Sequence, residues 1–91
     1  MATHKSALKR HRQSLGRRQR NRARRSEMKT TVKLFLKALE QKEQEPIKKA
    51  LNQAASVIAK TASKGVIHKN TASRRISRLT KRAHAVIQAN G

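Results

Sequence analysis

The chain has no cysteine, tryptophan, tyrosine or aspartate, and only one phenylalanine and one proline among its 91 residues. Without cysteine, neither a disulfide framework nor a thiolate metal site can form. With Phe35 the only aromatic, aliphatic side chains and alanine must do all the packing. A single aromatic also provides no row of rings on which single-stranded bases would stack. No apolar run reaches the length of a signal-sequence core or a membrane span, so a cytoplasmic protein is expected. Acids are equally scarce. The four glutamates, Glu27, Glu40, Glu43 and Glu45, all lie between residues 27 and 45, against 24 lysines and arginines, giving a formal charge of +20. Such a chain repels itself when compact and calls for a polyanionic partner: nucleic acid, an anionic membrane or an acidic protein. A chain this short makes one small domain with a thin core.

Catalysis is not expected, and neither is a cofactor, metal or small-molecule substrate. His4 and His11 are seven residues apart, and neither they nor His68 and His84 have the i,i+4 partner of a helical metal site. The glutamates lack a neighbouring histidine or aspartate with which to form an acid–base pair. Gly65 stands alone, so no glycine-rich phosphate loop exists.

What is present is helix-forming sequence, rich in Ala, Leu, Lys, Arg and Gln, with no period-two alternation. The expected fold is all-α: a three-helix up-down-up bundle whose long, highly basic first helix projects beyond it. The first helix should run from about Ser6, capped by Thr3 or Ser6, to about Gln44. Met28, Val32, Phe35 and Leu39, spaced 4, 3, 4, form its apolar seam. Carried backwards at about 100° per residue, that seam lands on Arg24, Asn21, Arg17, Ser14 and Arg10, while Leu8 and Leu15 fall elsewhere. No helix should therefore dock on residues 7–26 as it docks on 28–39. Gly16 is a weak point there, costing about 1 kcal/mol relative to alanine. This divides the chain into a basic arm, residues 1–26, and a bundle, residues 27–91, with helices at about 27–44, 46–64 and 70–89.

The second helix should begin with Pro46 at its first position and end at Gly65, with Ile47, Leu51, Ala54 and Ile58 as its seam. Its outer face, Lys49, Gln53, Ser56 and Lys60, is sparse in charge, and the helix reads as mainly structural. The third follows GVIHKN, with Asn70 or Thr71 as cap. It packs through Ala72, Ile76, Leu79, Ala83 and Val86 or Ile87. Arg74, Arg78 and Lys81 lie opposite that seam, flanked by Arg75 and Arg82.

The segment RRQRNRARRS places Arg17, Arg18, Arg20, Arg22, Arg24 and Arg25 within nine positions, with no acid among residues 1–26. A solvated helix normally mixes signs at i,i+4, because like charges at that spacing destabilise it. Arg18 with Arg22, and Arg20 with Arg24, are such like-charged pairs. They make sense as contacts to a polyanion, and guanidinium forks favour phosphate oxygens over a diffuse membrane field. The basic arm has no apolar face to insert into lipid. Phosphate contacts that read the shape of a folded RNA fit best, with a histone-like DNA-compacting protein as the alternative.

The stretches THKSALKRHRQS, NRARRSEMKTTVK and above all KGVIHKNTASRRISRLTKR resemble the family of the bacterial ribosomal protein numbered twenty in the small subunit, in colinear order over most of the chain. The resemblance implies a three-helix bundle with a long first helix. It also implies direct binding to small-subunit (16S) ribosomal RNA early in assembly, hence a location on the cytoplasmic ribosome. RNA-facing positions carried over to this chain are Lys5, Lys9, Arg10, Arg17, Arg24 and their neighbours, Arg12 among them. In the third helix and the loop before it they are His68, Lys69, Asn70, Arg74, Arg75 and Arg78. Residues 40–60 carry no signature of the family.

Overall fold

The computed structural model describes the backbone of residues 2–90 and the side chains of residues 6–89. Three helices follow one another: α1 (Ala2–Gln41), α2 (Gln44–Ser63) and α3 (Lys69–Asn90). At 1.5 Å per residue, the 40 residues of α1 span about 60 Å and the 20 of α2 about 30 Å, so α1 is twice the length of the helix against which it packs. The molecule measures 70 × 21 × 12 Å, with a radius of gyration of 18.2 Å. A compact chain of this length would have a radius of roughly 12 Å. The excess length is the N-terminal half of α1.

The core is built from the expected seams. Met28 and Phe35 of α1, Ile47, Ala54 and Ile58 of α2, and Ala72, Leu79 and Ala83 of α3 are buried, with Val32, Leu39, Leu51, Ile76, Val86 and Ile87 packed around them. Phe35, Ile47 and Ile58 are the largest side chains with no exposed surface. Each contributes about 1.5–3 kcal/mol by leaving water. α2 is the middle helix, packed along both α1 and α3. Four further positions are buried that the apolar spacing does not reveal: Ala38, Val66, Thr31 and Thr61. The threonines are accommodated because each hydroxyl donates back to its own helix, Thr31 to the Met28 carbonyl at 2.9 Å and Thr61 to the Val57 carbonyl at 2.7 Å. No buried side-chain polar atom among the described residues is left without a partner.

The helix ends differ from the sequence expectation in four places. α1 already begins at Ala2, so Thr3 and Ser6 lie inside it and neither is its cap. At its other end α1 stops at Gln41, three residues before the expected Gln44. Lys42 turns the chain with a left-handed φ of 59°, its N–H donating to the Leu39 carbonyl at 3.2 Å, and Glu43 is extended (φ −94°, ψ 134°). Pro46 accounts for the early break. A helix continuing through it would drive the ring into the carbonyl of residue 42. α2 then opens at Gln44, which places Pro46 third in the helix rather than first. It is still within the first turn, where an N–H has no intrahelical acceptor. Glu43 is the N-cap residue, without a side-chain hydrogen bond.

Gly65 terminates α2 as expected, with φ 77°. Its N–H reaches the Ala62 carbonyl at 2.9 Å, and Val66 N–H reaches the Thr61 carbonyl at 3.2 Å, the paired bonds of a Schellman cap. Val66, buried, supplies the apolar contact that accompanies this cap. α3 starts at Lys69, one residue before the expected 70. Its cap is neither Asn70 nor Thr71 but His68. The backbone N–H of Asn70 donates to His68 Nδ1 at 3.0 Å, and Ala72 N–H donates to the His68 carbonyl at 3.1 Å. In accepting through Nδ1, the imidazole carries its proton on Nε2.

Candidate nucleic-acid interface

Every described side chain from Ser6 to Arg20 is exposed, Gly16 alone being half-buried. Lys9, Arg10, Arg12, Arg17, Arg18, Arg20, Arg22 and Arg25 are all solvent-facing, and Arg24 is half-buried; the side chain of Lys5 lies outside the described residues. α1 holds these cations at helical spacing, and they do not share one face. At about 100° per residue, Arg10, Arg17 and Arg24 continue the core line, Arg18, Arg22 and Arg25 lie on the next side, and Lys9 and Arg20 point the other way. Leu8 and Leu15, expected off the seam, are indeed exposed, at 51% and 45%.

On one side the arginines are organised. Arg17, Arg18, Arg22 and Arg25 enclose an open groove along α1 together with Ser14, Asn21, Ser26 and Lys29. Residues at i, i+4 and i, i+7 stand about one to two helical turns apart, roughly 5 to 11 Å along the axis, so the guanidinium groups form a row along the helix. Serine and asparagine between them add neutral donors. At the lower end of this groove the arm meets α3: Arg75 Nη1 lies 3.8 Å from Met28 Sδ. From there a second groove runs between α1 and α3, lined by Val32, Arg75, Arg78, Leu79, Lys81 and Arg82. The two cationic clusters, about 50 residues apart in sequence, thus come within one helical turn of each other along α1, at Lys29 and Val32.

Arg74, Arg75, Arg78, Lys81 and Arg82 are all exposed on α3, and all but Arg74 line the groove that faces α1. His68, Lys69 and Asn70 are also exposed, at the start of α3. His68 thus has two parts: one ring nitrogen holds the helix end, and the protonated Nε2 is left to donate. Arg24 is set apart from the rest of the arm. With Glu27 it lines a crevice against Val57, Lys60, Thr61 and Lys64, so the C-terminal end of α2 already lies against α1 at this level. The end of α2 and the cap residue after it bring Lys60 and Lys64 to the root of the arm. Three of the four acids, Glu40, Glu43 and Glu45, sit at the far end of the bundle, flanking the hairpin from α1 to α2, and no acid lies N-terminal to Glu27.

Lys29, Lys60 and Lys64 join this surface although sequence reasoning singled out none of them as a contact. Lys29 looks like an ordinary exposed lysine beside the seam, and only its place one turn below Arg25 shows its role in the groove. No group of three or more His or Glu side chains capable of holding a metal occurs among the described residues, and no described helix is long and apolar enough to cross a membrane.

Comparison with known proteins matches this arrangement of residues to a family. The sequence profile of ribosomal protein S20 covers residues 2–84, which is α1, α2 and most of α3. The chain belongs to the ribosomal protein S20 family. That family is structural rather than enzymatic. Its members of known name include the small ribosomal subunit protein bS20 of Nitratidesulfovibrio vulgaris (strain DP4), 55% identical over 86 residues, covering 94% of this chain and 99% of the relative. The protein of the same name from Desulfotalea psychrophila is 55% identical over 89 residues, covering 98% of this chain and all of the relative. That of Syntrophobacter fumaroxidans is 52% identical over 86 residues, 94% of this chain and all of its own length. The S20 likeness thus extends through residues 40–60, where the sequence offers no motif and the packing of α2 constrains the chain instead.

Proposed function

We propose that this S20-family chain is a structural constituent of the small ribosomal subunit that binds folded small-subunit ribosomal RNA through its phosphates and so assists assembly of the subunit. The observation that carries this reading is the pair of neighbouring cationic grooves, one along the arm and one beside α3, with three of the four glutamates at the opposite end of the bundle. The bundle acts as a rigid holder. The arm, basic on all sides, and the exposed flank of α3 neutralise phosphates of RNA helices that would otherwise repel one another. Contacts come from Arg10, Arg17, Arg18, Arg22, Arg25 and their arm neighbours, and from His68, Lys69, Asn70, Arg74, Arg75, Arg78, Lys81 and Arg82. Without RNA the arm is only partly helical, because adjacent like charges oppose the helix until phosphates screen them. Its ordering costs a few kcal/mol of the gross electrostatic gain.

Competition binding tests the choice of polyanion. Labelled small-subunit ribosomal RNA bound to the full chain is expected to resist displacement by duplex DNA at equal nucleotide concentration. Ready displacement would favour the histone-like alternative, which the charge alone permits. Co-sedimentation of the chain with small ribosomal subunits in a cell lysate is the matching expectation in the cell.

A further inference from the structure

The groove between α1 and α3 differs in chemistry from the rest of the basic surface. Its floor is the aliphatic pair Val32 and Leu79, and its rim is Arg75, Arg78, Lys81 and Arg82. Leu79 is anchored in the core, only 8% exposed, so the floor is fixed. One rim guanidinium is also positioned: Arg75 rests against Met28 Sδ at 3.8 Å, which seats its planar group at the edge of the apolar patch. The groove encloses about 490 Å³, within the ~300–1,000 Å³ typical of sites for small ligands. Contact with phosphates alone does not require an apolar floor. A floor of aliphatic carbon under four cations complements a ligand that is flat and apolar on its face and anionic at its edge. Among the parts of an RNA, that is a single nucleotide taken out of its stack.

We propose that this groove receives one unpaired nucleotide extruded from the bound RNA. The base lies on Val32 and Leu79, with a guanidinium plane of Arg75 or Arg78 against it, and its phosphate meets Lys81 and Arg82. Stacking of splayed-out bases on arginine planes needs no aromatic side chain, which suits a protein whose one phenylalanine is fully buried. The proposal rests on the RNA-binding reading and deepens it. Phosphate contacts along the arm set orientation, and the groove adds selectivity for a site where a base can leave the helix. An acidic peptide carrying an apolar side chain is the other ligand of matching chemistry. The nucleotide is favoured because Lys29, the last residue of the arm groove, lies one helical turn before Val32 in this one, so a strand whose phosphates follow the arm is carried to the groove.

The test uses the full chain and a small-subunit ribosomal RNA. Unpaired nucleotides shielded from chemical modification on binding are replaced one at a time by abasic residues. The protein variant is R75K/R78K, which keeps both charges but removes both planes at exposed positions, and its thermal unfolding is compared with wild type because Arg75 also touches Met28. The variant is expected to bind about tenfold more weakly at unchanged salt slope. One abasic RNA is expected to lose about tenfold with the wild type and nothing further with the variant. A variant that binds like wild type overturns the proposal, as does a set of abasic RNAs that all bind like the parent, the result expected if a peptide fills the groove. Independent, additive losses overturn it too. Absence of any RNA binding by the wild type is a different result, which removes the underlying reading as well.

Discussion

Replacing Arg17, Arg18, Arg22 and Arg25 together by glutamine removes the four guanidinium groups that enclose the arm groove while keeping side chains of similar length and helix propensity. The four are exposed, so the core is untouched. Each phosphate neutralised contributes about 0.9 to the slope of log affinity against log salt. Four contacts make the slope shallower by about 3.6. Across a rise from 50 to 200 mM salt, 0.6 logarithmic units, the wild type should lose about 150-fold more affinity than the variant. Extrapolated from 1 M to 0.15 M salt, where the wild type is the tighter binder, the difference is about a thousandfold. Each of the four that meets no phosphate reduces the slope change by about a quarter. The assay is equilibrium binding of labelled small-subunit ribosomal RNA over that salt range. The matched control replaces Lys33, Lys37, Lys48 and Lys49, exposed lysines that line neither cationic groove, and so changes net charge equally. If the control altered the slope as much as the arm variant, bulk charge would be binding the RNA and the groove geometry would be irrelevant.

Three further outcomes are expected. Gly16→Ala should raise the helicity of the free protein by circular dichroism and stabilise α1 by about 1 kcal/mol, since the added methyl would meet only the flexible tip of Arg20 at 3.4 Å; unchanged or lower helicity would mean residue 16 is not helical in solution. Phe35→Ala should cost about 3–5 kcal/mol in urea unfolding, close to the whole stability of so thin a core, and a cost below 1 kcal/mol would show that the three helices do not meet there. His68→Ala should lower stability by about 0.5–1 kcal/mol through loss of the α3 cap, whereas His68→Asp should keep the cap, hold the melting temperature and weaken RNA binding; equal RNA affinity for H68D and wild type would mean that this corner faces away from the phosphates.

The apolar spacing of 4, 3, 4 in each helix was enough to place Met28, Phe35, Ile47, Ala54, Ile58, Leu79 and Ala83 in the core, because only that register gives every helix one apolar stripe. Gly65 was legible for the same kind of reason: its left-handed φ favours glycine. Other features required coordinates. Thr31 and Thr61 read as polar, and their burial depends on hydroxyls satisfied within their own helices. The turn lies at Lys42 and Glu43, with α1 ending three residues and α2 starting two residues earlier than the spacing suggests, since Pro46 requires only a break ahead of it and is tolerated in the first turn of the next helix. His68 was missed as a cap because asparagine and threonine, both stronger capping residues, follow it directly. The residue types of the candidate site were visible in RRQRNRARRS and NTASRRISRLTKR. That the two segments lie near each other was not, because α3 is set beside α1 by the packing of both on α2 rather than by the pattern of either helix alone.

On the proposed function, α1 is supported along its C-terminal half by its own chain and along its N-terminal half by RNA. Hydrogen exchange of the α1 amides, measured with and without small-subunit ribosomal RNA, tests it most directly. Amides of residues 6–20 should exchange rapidly in the free protein and become strongly protected in the complex, while those of residues 31–41 should be protected in both. Protection of residues 6–20 without RNA, or rapid exchange there within the complex, would contradict the account.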